Sequence, residues 1–204
     1  MKRTLLFTIL AVVPAVLAPL SAVGQVNSDA KPVAEQSASG YRYTVYGGFS
    51  YTSLNQVNGS RYGLIGGKVS LTRNYGKYFG LTGAVDYNKP PLISSSNKNP
   101  GDPSVYTFMA APELHATLYG KVEGLLFLEA GGEHTGGENQ TPSISFAGGY
   151  GGGLQYNLGS RLGIRLEGDR IGASFSPINN SPLLGYSPHL TWNPRASFGV
   201  IYRF

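Results

Sequence analysis

The chain has 204 residues, a formal charge of +5 and no cysteine. That is one domain's worth of chain, and without thiols it excludes disulfide scaffolds, zinc-thiolate sites and thiol catalysis. The 16 basic residues are scattered, which excludes the clustered patch that nucleic-acid binding needs, so no nucleic-acid partner is expected.

The chain begins with an export pattern. Lys2 and Arg3 precede an apolar run from Leu5 to Val23, and Ala22-Val23-Gly24 fits a small-x-small cleavage site. A signal peptide over residues 1–24 is expected, with Gln25 as the mature N-terminus. Pro14 and Pro19 interrupt the run and no basic stop-transfer cluster follows, which argues against a retained helix. No Cys follows either, so no lipid anchor is expected there. Residues 25–40 are polar and read as a disordered lead-in. No other run is long and apolar enough for a membrane helix.

From Tyr41 onward the hydrophobic period is two, the period of a strand. Residues 41–52 place Tyr41, Tyr43, Val45, Phe49 and Tyr51 on one face. Residues 61–72 set Ile65, Val69 and Leu71 against Lys68 and Ser70. Residues 77–87 set Phe79, Leu81, Val85 and Tyr87 against Thr82 and Asp86. Residues 105–118 set Tyr106, Phe108, Leu114 and Leu118 against Thr107, Glu113 and His115; Pro112 inside this strand predicts a bulge. Residues 122–133 set Leu126 and Leu128 against Glu123 and Glu129, with Leu125 and Phe127 falling on the charged face. Residues 143–158 set Ile144, Phe146, Tyr150, Leu154 and Tyr156 against Ser145, Gln155 and Asn157. Residues 161–169 alternate most clearly: Leu162, Ile164 and Leu166 oppose Arg161, Arg165, Glu167 and Asp169. The last segment sets Phe198, Val200, Tyr202 and Phe204 against Arg195, Ser197, Gly199, Ile201 and Arg203.

Connections alternate between tight turns, at 74–76, 119–121 and 159–160, and longer segments at 53–60, 88–104, 134–142 and 173–194. The expected fold is all-β: an eight-stranded antiparallel up-and-down transmembrane β-barrel over residues 41–204, with short periplasmic turns and long external loops. Strands of roughly 10 residues, tilted about 45°, cross an apolar band of about 25 Å. A soluble sandwich or lipocalin-like barrel shows the same alternation with the faces reversed. Aromatics near strand ends, a charged and glycine-rich opposite face, and a closing aromatic residue favour the membrane.

That closing segment, Ala196-Ser197-Phe198-Gly199-Val200-Ile201-Tyr202-Arg203-Phe204, resembles the C-terminal insertion signal of bacterial outer-membrane barrels. The run Phe146-Ala147-Gly148-Gly149-Tyr150-Gly151-Gly152-Gly153-Leu154, followed by a strand with a basic start, is similar to small OmpA-like barrel domains. The resemblance covers residues 41–204. It implies the outer membrane of a Gram-negative-type bacterium, surrounding lipids and lipopolysaccharide, and barrel-assembly machinery that reads Phe198, Gly199, Tyr202 and Phe204. No peptidoglycan-binding domain follows the barrel pattern, so no direct tether to the cell wall is expected.

The candidate functional residues line the expected lumen. Near mid-height are Lys68, Glu113, His115, Glu129, Arg165 and Glu167; at the periplasmic mouth are Arg42, Glu123, Arg161 and Arg203. Eight strands leave an interior that side chains fill, and buried charges there must pair. Arg165 and Glu167 reach Glu113 or Glu129 only across the lumen. The first functional reading is therefore a structural or interaction barrel with a plugged lumen and exposed loops; the second is a narrow, weakly conducting channel. The third, a lipid-modifying enzyme, needs a nucleophile beside His115, and none shares its face, so no catalytic residue is assigned. His134 with Glu133 and Glu138 matches no metal motif, so no metal or other cofactor is expected. The glycines from Gly148 to Gly153 lie within a strand and read as a bend or as room for bulky neighbours, not as a phosphate loop. Residues 94–102 read as a solvated loop.

Overall fold

The computed structural model describes residues 40–55, 61–91, 104–136, 143–173 and 190–204. The expectations for residues 1–39, for loop residues 94–102 and for Glu138 lie outside the described residues.

Eight strands form one closed antiparallel sheet in chain order: β1 (Tyr43–Asn55), β2 (Arg61–Asn74), β3 (Phe79–Lys89), β4 (Ser104–Tyr119), β5 (Val122–Gly136), β6 (Ser143–Asn157), β7 (Leu162–Ala173) and β8 (Thr191–Arg203). Each strand pairs with its sequence neighbours, and β1 pairs with β8 from Thr44 opposite Arg203 to Thr52 opposite Arg195. Closure leaves no free sheet edge. The three tight connections lie at one end, here called the turn end. Gly76 (φ 115°) and Gly120 (φ 52°) occupy left-handed conformations there, which a residue with a Cβ adopts only with strain.

The alternation resolves into an inside-out protein. The apolar face of every strand points away from the barrel axis, with Phe49 82 % and Ile144 81 % exposed. The interior holds the charges: Lys68, Asp86, Glu113, Glu123, Glu129, Glu167, Asp169, Arg195 and Arg203 are all buried. Leu125 and Phe127 also face inward and are buried, as their phase in the strand requires.

Two expectations are corrected. Most strands run further than the alternation indicates at the end away from the turns; β1 reaches Asn55, β3 Lys89, β5 Gly136 and β7 Ala173. Backbone pairing continues there after the hydrophobic contrast fades. Pro112 causes no bulge. The β4–β5 ladder skips Ala111 and Pro112, where proline has no N–H to give, and resumes in the same register, Ala110 opposite Ala130 and Glu113 opposite Phe127. The register shift in this ladder falls instead between Thr117 and Tyr119, beside the β4–β5 turn.

The interior is layered. At the turn end it holds one ion pair, Glu123 with Arg203, among polar side chains, and at mid-height most of the charges gather. Toward the other end Leu54, Leu64, Val105, Met109, Ala147, Ile171 and Ala173 form a buried apolar cluster, with Tyr62 packed against it.

Candidate functional site

The charged layer is built from inward positions of β2, β3, β4, β5, β7 and β8. On β7, Arg165 is 1 % exposed. Its Nε and Nη2 donate to Gln155 Oε1 on β6 at 3.0 and 2.8 Å. Its Nη1 lies 3.2 Å from Glu167 Oε1 and 3.4 Å from Glu113 Oε1. Glu113 is on β4, three strands away, so this contact crosses the interior. The Tyr46 ring lies 6.0 Å from the Arg165 guanidinium.

Two further bridges cross the barrel. Lys68 on β2 donates to Glu167 Oε2 at 2.6 Å and lies 3.9 Å from Asp169. Arg195 on β8 reaches Asp169 at 2.9 Å, Glu129 on β5 at 3.2 Å and Asp86 on β3 at 3.9 Å. Hydroxyls and amides complete the shell: Thr82 donates to Glu113 at 2.8 Å, Ser197 to Glu167 at 3.3 Å, and Asn88 to Asp86. Such a shell is what a buried ion pair needs, because the cost of desolvating both charges is offset only when their remaining donors and acceptors are also paired.

The interior glycines make room for this layer. A Cβ on Gly151 would sit 2.5 Å from the Asp169 Cβ and 2.7 Å from the Phe127 ring, and one on Gly153 would sit 3.2 Å from the Glu167 Cγ. Phe127 in turn lies 5.6 Å beneath the Lys68 ammonium. Large charged and aromatic side chains on one strand face thus occupy space vacated by glycine on the next.

All six mid-height residues named from sequence point inward. Glu113 meets Arg165, while Glu129 turns to Arg195 rather than to Arg165. His115 Nε2 lies 3.3 Å from Glu113 Oε1. At the turn end, Glu123 and Arg203 are buried and 3.6 Å apart, with Gln155 and Asn157 both donating to Glu123, at 2.8 and 2.7 Å. Arg42 and Arg161 do not join them. Both are exposed. Arg161 precedes β7, so strand phase does not hold it inward, and its guanidinium interacts with Tyr202 and Tyr41 instead.

Sequence reasoning did not single out Arg195, Asp86 or Asp169 as centres of the layer, although all three stood on the correct face. It also gave no interior role to Glu133, a buried carboxylate whose Oε2 has no hydrogen-bond partner among the described residues. Glu133 points inward, whereas His134 lies on the opposite face with its ring 6.2 Å from Tyr106, so the two cannot share a ligand. No group of three His, Cys, Asp or Glu among the described residues is arranged to hold a metal.

Compared by sequence, the chain matches no protein-family model and no curated protein. Compared by structure, it is similar to the Neisserial surface protein A (TM-score 0.64, 11 % identity), over 79 % of this chain and 97 % of that one. It is similar to the outer membrane protein OprG from Pseudomonas aeruginosa (TM-score 0.52, 11 % identity, 83 % and 98 % covered). It is also similar to Ail, the attachment invasion locus protein of Yersinia pestis (TM-score 0.51, 17 % identity, 79 % and 97 % covered). The fold is that of a small outer-membrane β-barrel.

Proposed function

We propose that the chain is an exported outer-membrane barrel with a structural or interaction role, its lumen plugged by ion pairs and its long connections presented outside the cell. The observation that carries this reading is the contact from Arg165 to Glu113 across the interior, 3.4 Å long and closed to solvent. An apolar outer face round the whole barrel supports insertion into lipid, where a closed sheet leaves no backbone group unpaired. Under this reading residues 1–24 are removed on export. The outward Phe198, Tyr202 and Phe204, with Gly199, form the segment that assembly machinery would read. Lipids and lipopolysaccharide are the immediate surroundings, and no enzymatic step is assigned. Ail is named for attachment and invasion, and one of its structures holds the heparin analogue sucrose octasulfate. That supports, for this chain, an interaction role carried by the external connections.

A second reading, a narrow channel, is favoured by one feature. Among the described residues seven interior carboxylates face four permanent cations, Lys68, Arg165, Arg195 and Arg203. A pore through such an interior would prefer cations. Single-channel recording of protein refolded into planar bilayers separates the two. The plugged barrel is silent and opens to cations when Arg165 is replaced by Ala. Steady conductance in the parent, unaltered by that substitution, would count against the plug.

A further inference from the structure

We infer that the turn-end rim of the barrel is a docking surface for anionic phospholipid headgroups of the periplasmic leaflet, a reading that rests on the membrane assignment proposed above. Five cations are exposed at this rim: Arg42, Arg73, Lys77, Lys121 and Arg161. They come from the approach to β1, the end of β2, and the β2–β3, β4–β5 and β6–β7 turns, so they are spread round the circumference. No described Asp or Glu side chain is exposed beside them. Glu123, the acid of this level, faces inward and is held by Arg203, Gln155 and Asn157.

The rim is therefore basic on its outer side and balanced on its inner side. Several of these cations are also held next to aromatic rings at the margin of the apolar belt. The Arg73 guanidinium lies 4.9 Å from the Tyr75 ring and the Lys77 ammonium 5.4 Å from the Tyr78 ring, while Arg161 interacts with Tyr202 and Tyr41. Tyrosines mark the level where hydrocarbon gives way to headgroups, and long basic side chains reach from it toward phosphate. A protein partner would seat on one side of the barrel. A cationic ring with no preferred side matches a partner that is itself a continuous ring, and a leaflet of phosphate-bearing lipid is one. Five cations with no described acidic side chain exposed among them favour a net-negative headgroup over a zwitterionic one.

The test uses the whole chain refolded into phosphatidylcholine vesicles containing a minor fraction of spin-labelled phosphatidylglycerol or spin-labelled phosphatidylcholine. The labelled lipid immobilised at the barrel surface is measured for each. The parent should hold phosphatidylglycerol about threefold better than phosphatidylcholine in low salt, and that preference should shrink near about 0.5 M salt. Replacing the set (Arg42→Gln, Arg73→Gln, Lys77→Gln, Lys121→Gln, Arg161→Gln) should bring the ratio close to one. A charge-keeping set (Arg42→Lys, Arg73→Lys, Arg161→Lys) should retain the preference, which guards against a merely misfolded variant. Equal retention of both lipids by the inserted parent, or a preference that survives the Gln set, overturns the inference. A parent that ignores phosphatidylglycerol yet sediments with isolated peptidoglycan, and loses this in the Gln set, overturns it in favour of the cell wall. A parent that never floats with the vesicles overturns the membrane reading itself.

Discussion

Arg165 and Leu166 are consecutive in β7, yet the first is 1 % and the second 53 % exposed. Leu166 has apolar company on the outer face, with Phe198 opposite it on β8. Arg165 has Gln155, Glu167 and Glu113. In a soluble barrel these roles would be reversed. The two faces are held differently: inside by charges bridged across the barrel, outside by a continuous apolar surface.

The most severe way to break the inner side is Arg165→Ala. It strands Glu113 and Glu167 with less positive charge in a closed interior, and should cost about 3–5 kcal/mol in denaturant unfolding from vesicles. Adding Glu113→Gln should restore part of the loss, because fewer charges are then left unpaired. Strictly additive losses would mean that Arg165 is solvated and the plug is absent.

The outer side is tested one residue further on. Leu166→Arg puts a charge near the middle of the apolar outer belt, and under the proposed membrane reading it should cost about 2–4 kcal/mol in bilayers. If the variant refolds into vesicles as stably as the parent, the outer face does not meet lipid.

Glycines sharpen the contrast at lower cost. On the inner face, a Cβ on Gly151 meets Asp169, the Gly168 carbonyl oxygen and Phe127, all within 2.7 Å. Gly151→Ala should destabilise by about 1–3 kcal/mol, the usual scale of overpacking. On the outer face, nothing lies within 4 Å of a Cβ on Gly168. Gly168→Ala should be neutral or stabilising by less than about 1 kcal/mol. Equal effects in the same unfolding assay would deny the close packing of the interior.

A modest effect on purified protein is expected at Phe204. Its ring stacks on Tyr43 at 5.7 Å, a contact worth about 1 kcal/mol. The proposed role of Phe204 as an assembly signal predicts something different in cells: deletion should lower outer-membrane levels and leave unassembled chain in the periplasm. Normal levels of the deletion variant would remove that role.

How much of this was readable from sequence follows from what each feature depends on. Faces are local: Ile164 and Leu166 alternate with Arg165 and Glu167, and backbone geometry turns alternation into two surfaces. The inside–outside choice is not local, because the same alternation serves a soluble barrel; in the sequence only aromatics at strand ends, the charged, glycine-rich opposite face and the closing Phe204 favour the membrane. Height round the barrel is less legible still. Whether Glu129 meets Arg165 or Arg195 depends on the stagger of all eight strands, which no single segment encodes. The buried apolar cluster was missed for a related reason. Leu54 lies in a stretch that reads as loop and Ile171 beyond the clear alternation of its segment, so neither stood out before the strands were seen to continue. Arg161 went the other way: strand phase was extended one residue too far, past the start of β7.

One seam of the barrel differs from the other seven. β1 and β8 join Thr44 to Arg203, nearly opposite ends of the sheet in sequence, whereas every other seam joins adjacent hairpin partners. Seven seams can form by local zipping, and one must wait for the whole chain to come round, at the entropic expense of the largest loop. Until then both edge strands offer unpaired N–H and C=O groups to their surroundings. The middle of that last seam is glycine facing glycine: Gly48 lies opposite Gly199, and a Cβ on Gly199 would sit 2.4 Å from the Gly48 Cα. The strands can therefore close flush at the centre, with no side chains there to fix their alignment. Alignment falls to the flanks, where Tyr46 meets Ile201 and Phe49 meets Phe198. The completion of the barrel thus turns on a smooth contact guided from its two sides, and misregistered closure is the failure to which this chain is most exposed.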